Sequence, residues 1–161
     1  MIKILFVCHG NICRSPMAEF VLKDMVKKEN IADQFYIASA ATSTEEINNP
    51  VHYGTRNKLA QLGISTSGKY AVQMKRSDYQ EYNYIIGMDN QNYRNILRII
   101  GKDREQKISL LLDYTEYPRD VADPWYTRDF DKTYEDVLAG CQGFLAYLRQ
   151  QGRIINEYND L

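Results

Sequence analysis

Ile4-Leu5-Phe6-Val7-Cys8-His9-Gly10-Asn11-Ile12-Cys13-Arg14-Ser15-Pro16-Met17-Ala18-Glu19 is the stretch on which the reading of this chain turns. A short apolar run reads as a buried strand, and the residues from Pro16 onward take up helical spacing. A strand therefore hands over to a helix through a loop with Cys8 at one end and Arg14 at the other. Successive backbone N–H groups in such a loop form a concave nest for an anion, and the following helix adds its positive end. Arg14 supplies a planar fork that can hold two oxygens of a phosphate dianion. The same positive field favours Cys8 as a thiolate nucleophile. Gly10 admits close backbone approach, Asn11 tolerates left-handed φ, Ser15 is expected as the helix N-cap and Pro16 suits the first helical position. A cysteine at a strand end is also commonly just a small buried residue, and Cys-x5-Arg arises by chance in unrelated chains. The glycine, asparagine and serine between and beside the pair favour the chemical reading.

Outward from this loop, strands alternate with helices. Ala18, Val21, Leu22 and Met25 form one helical stripe, with Lys23, Asp24, Lys27 and Lys28 on the other side. Phe35–Ser39 reads as a second strand, followed by a loop through Thr42–Asn49. A helix is expected from about Val51 to Leu62 with Gly63 at its C-terminal cap. Tyr84–Met88 reads as a third strand, and Asn90 is expected to cap a helix carrying Tyr93, Ile96, Leu97 and Ile100, closed by Gly101. Ile108–Leu112 reads as a fourth strand and Asp113–Asp129 as a long loop, of a length that is often functional. Tyr134, Val137, Leu138, Cys141, Leu145 and Leu148 mark a last helix, with Cys141 in its core stripe. This order implies an α/β fold, a single doubly wound domain over residues 1–161 with a parallel sheet and helices on both faces. Ligands bind such sheets at the carboxyl ends of the strands, where the loops after strands one and four both emerge, so Cys8 and Asp123 are expected to meet.

Composition narrows the function classes. The chain has 161 residues, 44% of them apolar, enough for one domain with an adequate core. Its formal net charge of −1 argues against a nucleic-acid binder. No apolar run approaches the roughly 18 residues of a membrane span, and Met1-Ile2-Lys3 does not begin a signal peptide, so a cytoplasmic protein without membrane attachment is expected. Three cysteines form no secreted disulfide framework, and reduced thiols are the default. The two histidines, His9 and His52, lie on separate segments without a ligand cluster, so neither metal nor other cofactor is expected, and catalysis should survive chelators.

The string from Cys8 to Glu19 closely resembles the N-terminal signature of the low-molecular-weight protein tyrosine phosphatases. Asp123-Pro124-Trp125-Tyr126 looks like the acid loop of that family, and the likeness runs from Ile2 to about Leu148 with motifs in the expected order. The resemblance implies a four-stranded sheet of order 2-1-3-4 with the phosphate-binding loop after strand 1. It also implies phosphotyrosine proteins or small aryl phosphates as substrates, and inhibition by phosphate-like oxyanions. A monomer is expected.

In the chemistry so implied, Cys8 attacks phosphorus while Arg14 and the loop residues His9, Gly10, Asn11, Ile12, Cys13 and Ser15 hold the phosphate. Asp123 is the expected general acid and later base, its protonated form favoured by desolvation and nearby phosphate charge. A turn-forming Asp-Pro is the commoner role of that dipeptide, and the phosphate loop tips the reading toward acid. The Ser15 hydroxyl is expected to donate to Cys8, and Asn11 to brace the loop together with Ser39. A family histidine of that bracing network has no counterpart near Ser67-Gly68-Lys69, where Lys69 stands instead. Cys13 is implied as the partner of Cys8 in a reversible, protective disulfide, with simple fit as the other reading. Trp125 and Tyr126 are expected to wall a cleft deep enough for a phenyl phosphate, and the pair resembles the paired aromatics of the family, which by analogy offers a phosphorylation site at Tyr126. His9 and Ile12 face the substrate from the opposite wall, and Glu45 replaces an aromatic found in some relatives. Asp89 reads equally as loop support or as a solvated acid near a helix start.

Three rivals remain. An arsenate reductase on the same fold needs two further relay cysteines, and none lies between Cys13 and Cys141. A protein-arginine phosphatase of the same family would suit a small polar residue where Ile12 stands. A non-catalytic phosphotyrosine-binding module is disfavoured by the intact Cys8, Arg14 and Asp123.

Overall fold

The opening apolar run forms β1 (Ile2–Cys8), whose side chains divide between two cores. Successive strand residues point to opposite faces, so a strand apolar throughout must be covered on both. The computed structural model describes residues 1–155; the end of the expected 1–161 span, from Asn156 on, lies outside them. After β1 come α1 (Arg14–Lys28), β2 (Phe35–Ala41), α2 (Tyr53–Gln61), α3 (Asp78–Glu81), β3 (Tyr84–Gly87) and α4 (Asn90–Ile100). They are followed by β4 (Ile108–Leu110), α5 (Pro124–Thr127) and α6 (Phe130–Gln150). The strands form one parallel sheet of order β2-β1-β3-β4, as the resemblance implied.

On one face Ile4, Phe6 and Cys8 of β1 and Ile86 of β3 pack with Met17, Val21 and Leu22 of α1 and Val137, Cys141 and Phe144 of α6. On the other, Leu5, Val7 and Ile85 meet Tyr79 of α3 and Ile96 and Ile100 of α4. Helices thus cover both faces, as expected, and Cys141 is wholly buried in the first core.

Several boundaries differ from the sequence reading. Helix α1 begins at Arg14, so Ser15 and Pro16 occupy its second and third positions and neither the cap nor the first position. Its N-cap is Cys13, with no side-chain capping bond, and the Ser15 hydroxyl meets Asn11 and Cys8 instead. Pro16 sacrifices no helical bond, since the first-turn N–H groups have no intrahelical acceptor. Helix α2 is shorter than expected; His52 caps it, its Nδ1 accepting from Gly54 N–H at 3.2 Å. Beyond its end Gly63, at φ +75°, donates to Ala60 while Ile64 donates to Leu59, a Schellman closure.

Asp89, not Asn90, caps α4, in a reciprocal box with Asn92. Strand β3 stops at Gly87 because Met88 N–H turns to Asn92 Oδ1. Strand β4 stops at Leu110, where Asp113 takes the Leu110 N–H and the chain tightens into a 3-10 turn over Leu111–Tyr114. The long segment from Asp113 to Asp129 therefore holds the end of this turn and α5, and is not irregular throughout.

Candidate active site

The loop between β1 and α1 turns its carbonyls outward, where neighbouring segments satisfy them. Thr42 N–H donates to Cys8 O at 2.9 Å, Ser43 N–H to His9 O at 3.1 Å, and His52 N–H to Ile12 O at 2.9 Å. The Thr55 hydroxyl donates to Cys13 O at 3.2 Å. Carbonyls held from outside leave the loop amides available for an anion, as in a backbone nest. Asn11 adopts the left-handed conformation expected of it, at φ +59°, and its N–H lies 3.4 Å from Cys8 Sγ.

Asn11 also braces the loop, so both of its readings hold geometrically. Its Oδ1 accepts from Val72 N–H at 3.2 Å, which fixes the orientation of the amide. Its Nδ2 then donates to Ser15 Oγ at 2.8 Å and to Ser39 Oγ at 2.9 Å. With a lone pair of Ser15 so occupied, its hydroxyl hydrogen is free for Cys8 Sγ at 3.0 Å. A hydrogen bond of that polarity stabilises a thiolate.

Arg14 is almost fully buried at the base of the site. Its Nη1 donates to Val121 O at 3.1 Å and pairs with Asp89 Oδ2 at 2.9 Å. Its Nη2 lies 3.4 Å from Asp123 Oδ2. Burial opposes the charge on Arg14, but Cys8, Asp123 and Asp89 outweigh it and hold the group above its ordinary value.

Asp123 likewise serves a turn and faces the site. Its Oδ1 caps α5 by accepting from Trp125 N–H at 3.0 Å, leaving Oδ2 toward Arg14. The preceding residue is fixed from α6: Ala122 N–H donates to Asp136 Oδ2 at 3.1 Å and Thr133 Oγ1 donates to Ala122 O at 2.8 Å. Asp136 is buried and paired with Arg119 at 2.8 Å. Val121 N–H donates to Met88 O at 2.9 Å, which ties the segment to the end of β3.

A cavity of ≈ 550 Å³ opens above this constellation. Cys8, His9, Gly10, Ile12, Cys13, Arg14, Glu45, Asp89, Asp123, Trp125 and Tyr126 all line it, so the structure brings these expected residues together. Trp125 and Tyr126 are exposed on one wall, and His9 meets Glu45 at 3.0 Å on another. Asn11, Ser15 and Ser39 lie buried behind the loop. Burial pushes the Cys13 thiol up to about 12, with the charges of Cys8 and Asp123 adding to the effect. Among the described residues no group of three or more His, Cys, Asp or Glu is placed to hold a metal ion. No helix of the described residues is long and apolar enough to cross a membrane.

Sequence reasoning missed Glu19, Asp136 and Thr133 as positioning groups, and His52 as a packing residue of the cleft. Glu19 and Asp136 did carry a signal, as acidic residues that fall on the buried stripe of a helix. His52 carried none: it stacks on Phe130 at 5.5 Å and meets Trp125 edge-on at 6.1 Å, contacts between segments far apart in the chain.

The model of the family described as low molecular weight phosphotyrosine protein phosphatase matches residues 3–154. The chain is 37% identical to the low molecular weight protein-tyrosine-phosphatase YfkJ of Bacillus subtilis, over 96% of this chain and 100% of that protein. The crystal structure of YfkJ superposes with a TM-score of 0.89, covering 94% of this chain and 96% of that one. A low molecular weight phosphotyrosine protein phosphatase of Rattus norvegicus is 40% identical over 88% of this chain and 92% of its own. The crystal structure of SP-PTP, a low molecular weight protein tyrosine phosphatase from Streptococcus pyogenes, has a TM-score of 0.84 and 40% identity, and the match covers 99% of this chain and 98% of that one.

Proposed function

This chain belongs to the low molecular weight phosphotyrosine protein phosphatase family, and from that premise we propose that it hydrolyses phosphotyrosine monoesters through a phosphocysteine formed on Cys8. The observation that carries the reading is one buried guanidinium: Arg14 closes the loop that begins at Cys8 and lies 3.4 Å from Asp123. Nucleophile, anion holder and proton donor thus share one cleft.

In the first step Cys8 Sγ attacks phosphorus in line as the bond to the phenolic oxygen breaks. Asp123 gives its proton to that oxygen, so that a neutral phenol departs. The loop amides and the Arg14 fork hold the three non-bridging oxygens, where transition-state charge is stabilised. In the second step Asp123 takes a proton from water, the water oxygen bonds to phosphorus, and the S–P bond breaks to release inorganic phosphate. The Ser15 hydroxyl, donating to Cys8, stabilises the thiolate that leaves. Trp125 and Tyr126 make the cleft deep, and Ile12 offers an apolar contact for an aromatic ring, which favours phosphotyrosine over phosphoserine and phosphoarginine.

Cys13 fits a protective role. A peroxide oxidises the Cys8 thiolate to a sulfenic acid, and the protonated Cys13 thiol condenses with it to a disulfide, releasing water.

The test is hydrolysis of phosphotyrosine, phosphoserine and phosphoarginine peptides by wild type, Cys8→Ser and Asp123→Ala, with reductant and chelator present. Phosphotyrosine turnover should be selective, abolished in Cys8→Ser and slowed about 10²- to 10⁴-fold in Asp123→Ala. Preference for phosphoarginine would reassign the substrate, and binding without turnover would reassign the protein as a phosphotyrosine reader.

A further inference from the structure

Asp123 is gripped from both sides, and by different means. On its N-terminal side Ala122 is tied to Asp136 and Thr133 of α6. On its C-terminal side Trp125, Tyr126 and Thr127 are exposed, and α5 is a single turn, too short to stand on its own hydrogen bonds. Yet it is Trp125 N–H, at 3.0 Å, that fixes Asp123 Oδ1 and so leaves Oδ2 toward Arg14. A group that steadies Trp125 therefore steadies the acid.

His52 is placed to do this. Its backbone N–H donates to Ile12 O at 2.9 Å, which fastens it to the phosphate loop. Its ring lies over that of Phe130, with centroids 5.5 Å apart and planes 9° from parallel, and meets the Trp125 ring edge-on at 6.1 Å. Stacked and edge-to-face pairs are favoured geometries of aromatic rings, so these contacts attract as well as fill space. Phe130 in turn rests on the first turn of α2, where a Cβ on Gly54 would lie 2.2 Å from Phe130 Cζ. The imidazole cannot turn freely, because its Nδ1 accepts from Gly54 N–H at 3.2 Å. That bond needs the Nδ1 lone pair. Burial and Arg128 hold the imidazole below its ordinary value, so the lone pair is free at neutral pH.

We infer that His52 is a positioning residue for the general acid: with its main chain on the phosphate loop and its ring against Trp125, it keeps Asp123 in register with Cys8. It acts through Trp125, whose N–H orients the carboxylate, and makes no contact with the reacting atoms. The inference rests on the reading of Asp123 as proton donor and deepens it by naming the group that joins the acid segment to the nucleophile loop.

The experiment is kcat/KM at neutral pH for a series of aryl phosphates whose phenols differ in acidity, in wild type, His52→Asn, His52→Phe and Phe130→Leu. Acrylamide quenching of Trp125, the sole tryptophan, accompanies it. His52→Asn keeps an acceptor for Gly54 N–H and loses the ring; His52→Phe keeps a ring and loses the acceptor. In His52→Asn, Trp125 should be more open to acrylamide. Its kcat/KM should fall about three- to tenfold for the most basic phenol and stay within about twofold of wild type for the most acidic, which needs no proton to depart. A general loss of structure would lower both alike. His52→Phe should restore the wild-type dependence on the leaving group, and Phe130→Leu should reproduce part of the loss. A wild-type leaving-group dependence in His52→Asn would overturn the inference, even with Trp125 loosened, and so would a His52→Phe no better than His52→Asn. Phe130→Leu decides by the same reading where His52→Asn does not fold. A wild type inactive on every aryl phosphate would instead mark the failure of the phosphatase reading itself.

Discussion

Asp89 holds Arg14 with one carboxylate oxygen, Oδ2 to Nη1 at 2.9 Å, and caps α4 with the other, Oδ1 accepting from Asn92 N–H at 2.8 Å. A single side chain therefore couples the Arg14 guanidinium at the base of the cleft to the start of α4. The two duties are separable by substitution.

Asp89→Asn keeps an oxygen for the cap but removes the charge that orients Arg14. Its kcat/KM for aryl phosphate should fall about tenfold with stability within roughly 0.5 kcal/mol of wild type. Asp89→Ala should lose a further ~1 kcal/mol with the cap, read as a Tm lower by about 2–4 °C. Equal Tm values for the two variants would remove the cap from the account.

Asp136 holds the segment that leads to Asp123, by accepting from Ala122 N–H and pairing with Arg119. Asp136→Ala orphans a part-buried N–H, at a cost of about 1–3 kcal/mol. It should also slow substrates with poor leaving groups more than activated ones, because only the former depend on a well-placed acid. A leaving-group dependence unchanged from wild type would show that Asp123 finds its place without Asp136.

His52 is depressed below its ordinary 6.5 by burial first and by Arg128 next, with Glu46 opposing. The unfolded chain therefore binds this proton first: the stabilisation is complete above about 6.5 and is lost as pH falls through the lower folded value. Trp125 is the sole tryptophan and lies against His52, so its emission reports the event. Acidification from pH 7.5 to 5 should change that emission in wild type and leave it flat in His52→Asn, which keeps a cap acceptor for Gly54 N–H. The same titration in both proteins would assign the change to another group.

Gly143 sits inside α6, where helix propensity alone favours alanine by about 1 kcal/mol. A Cβ there would lie 2.1 Å from the Tyr114 carbonyl oxygen, and one at Gly140 would lie 2.4 Å from Leu111 Cγ. Both Gly143→Ala and Gly140→Ala should therefore destabilise, by about 1–3 kcal/mol, with the rigid backbone neighbour making Gly143→Ala the worse. A gain in denaturation midpoint in either would mean that α6 can shift away from the 3-10 turn.

Most of the longer elements of this chain were legible in the sequence. Short apolar runs located all four strands and period-3.6 patterning the four longer helices, because burial leaves its spacing in the chain. The residues Cys8 to Ser15 pointed to an anion loop, because the residue types that suit a nest, a fork and a nucleophile are consecutive there. Boundaries were less legible: Ser15 carries the composition of a cap, yet its hydroxyl is taken by Asn11 and Cys8, and a competing partner from the loop cannot be read from propensity.

What the sequence determined by itself is the four strands, the four longer helices and the place of the loop from Cys8 to Ser15, all products of short-range spacing. Only the tertiary structure decided who holds that loop in place. Lys69 reaches Glu19 across 50 positions and Asp136 reaches Ala122 across 14, and Val72 meets Asn11 across 61. Such partners are chosen by where the sheet and helices bring buried polar groups together. A buried donor or acceptor gains most from a mate there, whatever its distance along the chain.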